Sequence, residues 1–358
     1  MFYLSLDHNK LQPLFQCTTY TESEVMDLST KDATLAAITL ISASLSITGG
    51  FALLLTYFKI PEFQTSVRKL LVFLTIADIF TASGYIIGTV HFLLLDSQHR
   101  NKTDTLCEVQ SFITTFSSLS SFAWTSIIAV HLYLLIRTQR DFRRKRFLKI
   151  MYHFSGWAIP AIICIPVLAE DKLGRDHNGK KAGTGLWCWI KIDDAEIHTQ
   201  EIVLMLMTGK FWELLTYVLS FSIYMMLKIN TYIERQKNKS YCWRDVGGET
   251  LRNEDERFCF TWLILYLLRF WGTIRFFIEI SNTKSGKAMD VDNILSYFHC
   301  AGDSAQALGN FILFCLLDKN IRRKYREMIV KCCNRQGNYD LLRAPFSDSA
   351  SYQSILQS

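Results

Sequence analysis

Seven stretches of this 358-residue chain are each about 20 or more residues long and nearly free of charge. They run over Ala33–Phe58, Leu70–Leu95, Cys107–Ile136, Ile150–Leu168, Glu201–Leu227, Phe258–Ile280 and Val291–Leu317. A helix needs about 20 apolar residues to cross the roughly 30 Å hydrocarbon core of a bilayer. A soluble surface helix shows an apolar stripe and a polar back, whereas these runs are apolar nearly all round. One small soluble core could not bury seven of them, which sets aside a large soluble α-protein. Charged residues at 20% fall below the soluble average, and aromatics at 13% exclude disorder. The expected fold is all-α, an integral membrane bundle of seven transmembrane helices over residues 33–317. It is flanked by a short segment 1–32, an amphipathic juxtamembrane helix 318–333 and a disordered, Ser-rich tail 334–358.

Orientation follows from Lys and Arg. With the N-terminus outside, the inner side receives Lys59, Arg68 and Lys69, the cluster Arg137–Lys149, the loop Lys228–Arg257 and the segment Lys319–Arg335. That side then holds about twice as many basic residues as the other, so the positive-inside rule favours N-out, C-in. The net charge of +6 is therefore topological, and no basic stripe with interleaved aromatics points to nucleic acid. The first 32 residues carry no cleavable leader pattern, so the first helix is expected to act as its own insertion signal. The expected location is the plasma membrane, multi-pass.

Cys107 falls at the outer end of the third run, and Cys188 lies in the loop after the fourth, within Trp187-Cys188-Trp189. Both face the oxidising side, where a disulfide between them is expected to tie loop to bundle. Two free thiols are the alternative. Cys332 and Cys333 follow a basic juxtamembrane segment and are candidates for palmitoylation. Asn101-Lys102-Thr103 is an outward glycosylation sequon. No Cys/His spacing suits a metal, and no cofactor is expected.

Ionisable groups at bilayer depth are costly and mark packing networks or sites. Lys210, Glu213, Arg275, His299 and Asp303 are candidates to line a polar cavity open to the outside. Lys210 and Glu213 are three apart, and Arg275 and Glu279 four apart, so each pair can bond along its own helix. A purely structural ion-pair network is the competing reading. The hydroxyl-rich third run, Thr114 to Ser126, suits a central helix packed on several sides. Arg68, His131, Arg137 and Arg269 are candidates to face a cytoplasmic partner.

Several motifs add to this reading. Phe122-Ala123-Trp124-Thr125 with Leu132-Tyr133-Leu134, Gly156-Trp157-Ala158-Ile159-Pro160, Cys188-Trp189 and Gln306-Ala307-Leu308-Gly309-Asn310 together resemble one branch of the G-protein-coupled receptors. That branch joins slime-mould cyclic-AMP receptors with secretin-like (class B) receptors. Rhodopsin-like landmarks are missing: the third run ends His131-Leu132-Tyr133-Leu134-Leu135-Ile136-Arg137, without an acidic-Arg-Tyr triplet. Arg68–Tyr85, Gly185–Ile190, Met207–Leu219 and Arg269–Phe277 read like one orphan receptor of that branch. The resemblance implies a heterotrimeric G protein as cytoplasmic partner, an extracellular ligand and no enzymatic chemistry; the candidate cavity's side chains suggest a small polar ligand but do not separate a nucleotide, lipid, amine or peptide. With 32 residues before the first helix, recognition is expected inside the bundle. No loop rule reads the G-protein class, and Gq with phospholipase C and calcium stands as the expectation. A transporter or channel for a small polar solute is the rival, weakened by the lack of an internal repeat.

Overall fold

The computed structural model describes residues 30–61, 64–95, 104–138, 146–175, 185–192, 199–237, 261–281 and 286–328, with residue 330. Helix α1 is Thr30–Lys59, α2 Ser66–Leu94 and α3 Thr105–Thr138. Helix α4 covers Arg146–Ala169. Helix α5 runs as Thr199–Met205, a π turn Leu206–Lys210, and Phe211–Lys237. Helix α6 is Thr261–Ile280. Helix α7 is built from Gly286–Ser304, Gln306–Phe311 and a π turn Ile312–Leu316. A short α8 follows over residues 319–328.

The protein is thus the seven-helix bundle expected from the apolar runs. Among the described residues, five passes are long and apolar enough to cross a membrane by length and composition alone. Helix α6 carries Arg269, Arg275 and Glu279 within its 20 residues, and α7 is interrupted at Ala305.

In lipid, helices gain little from burying apolar surface against one another, so close packing and interhelical hydrogen bonds do the joining. The hydroxyls of α3 serve this purpose. Ser117 accepts from Thr81 of α2 at 2.8 Å, and Ser126 bonds Thr216 of α5 at 3.1 Å. Helices α6 and α7 approach so closely at Gly302 that an added Cβ would lie 1.9 Å from the Leu268 carbonyl oxygen. Only glycine permits that contact.

The Trp124 ring is fully buried at the bundle centre. Phe73 stacks on it at 4.9 Å, and Trp157 meets its edge at 5.7 Å. Gly156 lies against the same ring, where a Cβ would come within 2.4 Å. The Gly-Trp pair of α4 is therefore the counterpart of the α3 tryptophan. Pro160 explains the π turn at Phe154–Ala158: it lacks an N–H and crowds the carbonyl four residues back. The wider turn absorbs this, with Ile159 N–H donating to the Phe154 carbonyl.

The interruption in α7 is repaired by α1. Ala305 N–H donates to the Gly302 carbonyl rather than to Ala301. The freed Ala301 carbonyl accepts from Ser42 Oγ at 2.7 Å, and the Leu308 N–H donates to Ser46 Oγ at 3.3 Å. Ser42 and Ser46 are one turn apart on α1, so they share a face. Hydroxyls of this kind let a helix break inside a membrane without stranding backbone groups.

The Cys107–Cys188 disulfide is present. It ties α3 to a small antiparallel hairpin, β1 Leu173–Gly174 with β2 Trp189–Ile190, in the register Leu173 to Ile190. The same loop inserts Leu186, fully buried, among Leu35, Ala36, Phe92 and Cys300. Burial of one such side chain is worth about 1.5–3 kcal/mol. The loop is a fixed cover on the Cys107 end of the bundle.

Candidate functional site

Directly under that cover lies a cavity walled by α2, α3, α5, α6 and α7. It has about 70 Å³ of space for the centres of water-sized molecules. The cover contributes Trp187, Cys188 and Trp189. Trp187 packs on Tyr85 at 4.5 Å and edge-on to His299 at 5.9 Å. Gln110 of α3 holds this segment in register, its Oε1 accepting from the Cys188 N–H at 2.8 Å.

Two polar clusters face each other across the space. On α5, the π turn ends at Lys210, whose Nζ donates to Glu213 Oε2 at 2.9 Å. Glu213 is 2% exposed. Its other oxygen accepts from Tyr217 at 2.7 Å and from Thr273 of α6 at 2.6 Å. On the opposite side, Arg275 donates to Asp292 through Nε at 2.7 Å and Nη2 at 3.2 Å, a bidentate clamp between α6 and α7. Its Nη1 lies 3.0 Å from His299 Nδ1. Guanidinium can only donate, so Nδ1 accepts and the imidazole proton sits on Nε2. That nitrogen faces Asp303 Oδ2 at 3.2 Å, which Tyr85 also approaches at 3.4 Å.

The floor of the cavity is Arg269. It lies 4.7 Å over the Phe122 ring and donates through Nη2 to Ser118 Oγ at 3.1 Å. Gln306 bridges it to the layer below. In the amide orientation that satisfies both neighbours, its oxygen accepts from Arg269 Nε and its nitrogen donates to Asp78 Oδ1 at 3.1 Å. Asp78 also accepts from Ser121 at 2.6 Å and Asn310 at 2.8 Å. Polar contacts thus run continuously from the cavity to the α7 segment below its break.

The structure brings Lys210, Glu213, His299 and Asp303 to the cavity wall. Arg275 stands behind His299 as a brace. Its clamp on Asp292 is one that spacing along α6 could not reveal. Arg269 departs from expectation: rather than sitting with Arg68 and His131 near the opposite end, it is buried at the cavity floor. The sequence placed it by depth along the run, whereas the direction of a long side chain is decided by its partners. Tyr85, Trp187 and Thr115 also line the space and carried no individual signal in the sequence.

At the other end, Arg68 Nη2 donates to Asp318 Oδ2 at 3.2 Å, with both side chains buried. Asp318 Oδ1 also accepts from the N–H groups of Asn320 and Ile321, capping α8. Tyr325 bonds Thr56 of α1. His131 contacts the Tyr152 hydroxyl at 3.1 Å. Arg137 lies in the last turn of α3, and its side chain is outside the described set. Asn101, Cys332 and Cys333 also lie outside the described residues. No group of His, Cys, Asp and Glu able to hold a metal occurs among the described residues.

Known proteins share this chain's pattern. Residues 32–207 match the 7 transmembrane receptor (Secretin family). Human G-protein coupled receptor 157 is 31% identical over 295 residues, covering 80% of this chain and 82% of that receptor. The mouse G-protein coupled receptor 157 is 28% identical over 317 residues, 86% of this chain and 89% of its own. Cyclic AMP receptor-like protein A of Dictyostelium discoideum is 26% identical over 153 residues, 43% of this chain and 36% of its own. Human and mouse proteins of that first name are the orphan receptor whose stretches the sequence resembled.

Proposed function

From the premise that this chain belongs to the secretin-like branch of the G-protein-coupled receptors, alongside G-protein coupled receptor 157, we propose that its cavity binds an extracellular ligand and that its Arg68 end engages the G protein. The protein is a multi-pass membrane receptor and not an enzyme. In this reading it works at the plasma membrane, with the cavity end outside and the Arg68 end in the cytosol. The distribution of Lys and Arg along the sequence supports that orientation. Asn101 is then positioned for glycosylation, and Cys332 and Cys333 for palmitoylation.

The observation that carries the assignment is the continuity of polar groups. Lys210 and Asp303 meet the cavity, Arg269 lies beneath them, and Gln306 joins Arg269 to Asp78 and Asn310. A ligand that rearranges the upper groups alters the helix that carries the Ala305 break. Such a ligand must favour one arrangement over the other, since only differential affinity moves an equilibrium. Shifting the receptor from about 1:99 to 99:1 takes about 5.5 kcal/mol of such preference. Arg68, His131 and Arg137 lie toward the partner's side, and Gq with phospholipase C and calcium is the output proposed.

Expression with a panel of chimeric G proteins, reading calcium and cyclic AMP, tests the assignment. Coupling through at least one chimera is expected. Silence across the panel with intact surface delivery would overturn it.

A further inference from the structure

The cavity under the Trp187 cover has an unequal supply of hydrogen-bonding groups. Lys210 Nζ spends one of its three protons, on Glu213. Arg269 spends Nη2 on Ser118 and Nε on Gln306, leaving Nη1 without a hydrogen bond among the described residues. Thr115 Oγ1 is buried with no partner among them, although its side chain could donate. Glu213, by contrast, is saturated by three donors. The open acceptor is Asp303 Oδ1, also buried and without a partner among the described residues. Thr115 and Asp303 line the cavity and are 3% and 8% exposed, so these orphaned atoms lie in its wall and not in bulk water. A buried polar atom left this way costs about 1–3 kcal/mol, which a bound group would recover.

Charge selects the class of occupant. Lys210 and Arg269 are balanced by Glu213 and Asp303, so the wall is neutral overall but has separate poles. A lone anion would meet the free donors, yet it would bury a net charge and leave Asp303 Oδ1 unmet. A lone cation fails in the opposite way. Either imbalance is expensive among side chains as buried as Lys210, Glu213, Arg269 and Asp303. A molecule bearing one anionic and one cationic group satisfies both poles and keeps the site neutral.

Size narrows it further. With about 10–15 Å³ of such space per water-sized group, a 70 Å³ cavity admits about five to seven heavy atoms. We propose that the cavity binds a small aminocarboxylate zwitterion, its carboxylate held by Lys210, Arg269 and Thr115 and its ammonium by Asp303. This assignment rests on the receptor reading only for its signalling consequence; binding itself does not depend on a G protein.

Thermal unfolding of the purified full-length protein in detergent tests it, because a ligand for the folded state raises the midpoint with concentration. The probes are glycine, β-alanine and γ-aminobutyrate, compared with propionate and propylamine. At least one zwitterion should raise the midpoint saturably, and each single-charge probe should need at least about tenfold more for the same shift. Lys210→Gln and Asp303→Asn should each abolish the zwitterion-specific part. Thr115→Val, which leaves the charges and bulk in place, should raise the half-saturating concentration several-fold if either charge variant fails to fold.

A flat response to all three zwitterions, or equal response to propionate or propylamine, would overturn the proposal. Basal coupling in the chimeric panel separates the two ideas. Coupling without a zwitterion response sinks the ligand class alone, and a zwitterion response without coupling sinks the receptor reading alone.

Discussion

The buried pair Arg68–Asp318 offers a quantitative test of how α8 is held to the bundle. Arg68→Met removes the guanidinium from a carboxylate whose side chain is 4% exposed. Breaking a buried pair from one side costs about 3–5 kcal/mol, because the remaining charge keeps its desolvation penalty. Here the lower end applies, since Asp318 still accepts from the Asn320 and Ile321 N–H groups. Asp318→Asn preserves that cap and removes only the charge opposite Arg68, so it should cost about as much or less. The double variant removes both charges and should lose less than the sum of the singles by about 2 kcal/mol or more. If the loss falls on α8 docking, about 3 kcal/mol raises its open population about 100-fold. Amide hydrogen exchange across residues 319–328 measures this directly, as these amides report local opening. Each single variant should exchange there about 100-fold faster, and the double variant should recover part of the protection. Unchanged exchange, or strictly additive effects, would show that the pair does not hold α8.

Other expectations follow from particular contacts. Gly302→Ala forces a Cβ against the Leu268 carbonyl, which requires α6 and α7 to separate; it should destabilise by about 1–3 kcal/mol or more and lower the unfolding midpoint in micelles. A Gly302→Ala protein as stable as the parent would refute the close approach. Ser42→Ala with Ser46→Ala removes the Leu308 N–H partner and leaves the Ala301 carbonyl only the long 3.4 Å bond from Ser304 Oγ, for a loss of about 1–3 kcal/mol read by the same unfolding measurement. Cys107→Ala opens the tether to Cys188 and should reduce delivery to the cell surface, counted by antibody to an N-terminal tag; normal delivery would separate the disulfide from folding of the cover.

Several features were legible before any coordinates. Seven apolar runs gave seven passes, because hydropathy is a local property and a bilayer demands a fixed length of it. The disulfide was legible because both cysteines were assigned to one oxidising face. The pairing of Lys210 with Glu213 was legible because residues three apart on a helix are neighbours. The motif residues Trp124, Gly156 and Trp157 stood out individually, although nothing in their spacing said that they meet at one ring.

What the sequence alone determined is therefore what depends on the chain's near neighbours: the number of helices, their segments and the local ion pair. Tertiary structure alone decided the partners drawn from distant segments. Asp292 clamps Arg275 from 17 residues away, and Asp318 holds Arg68 across 250. Arg269 turns to the cavity floor, and two serines of α1 repair a break in α7. The physical reason is that buried polar groups must be satisfied by whichever neighbours the packing supplies, and helix rotation and kinking, unlike hydropathy, are set by the whole bundle at once.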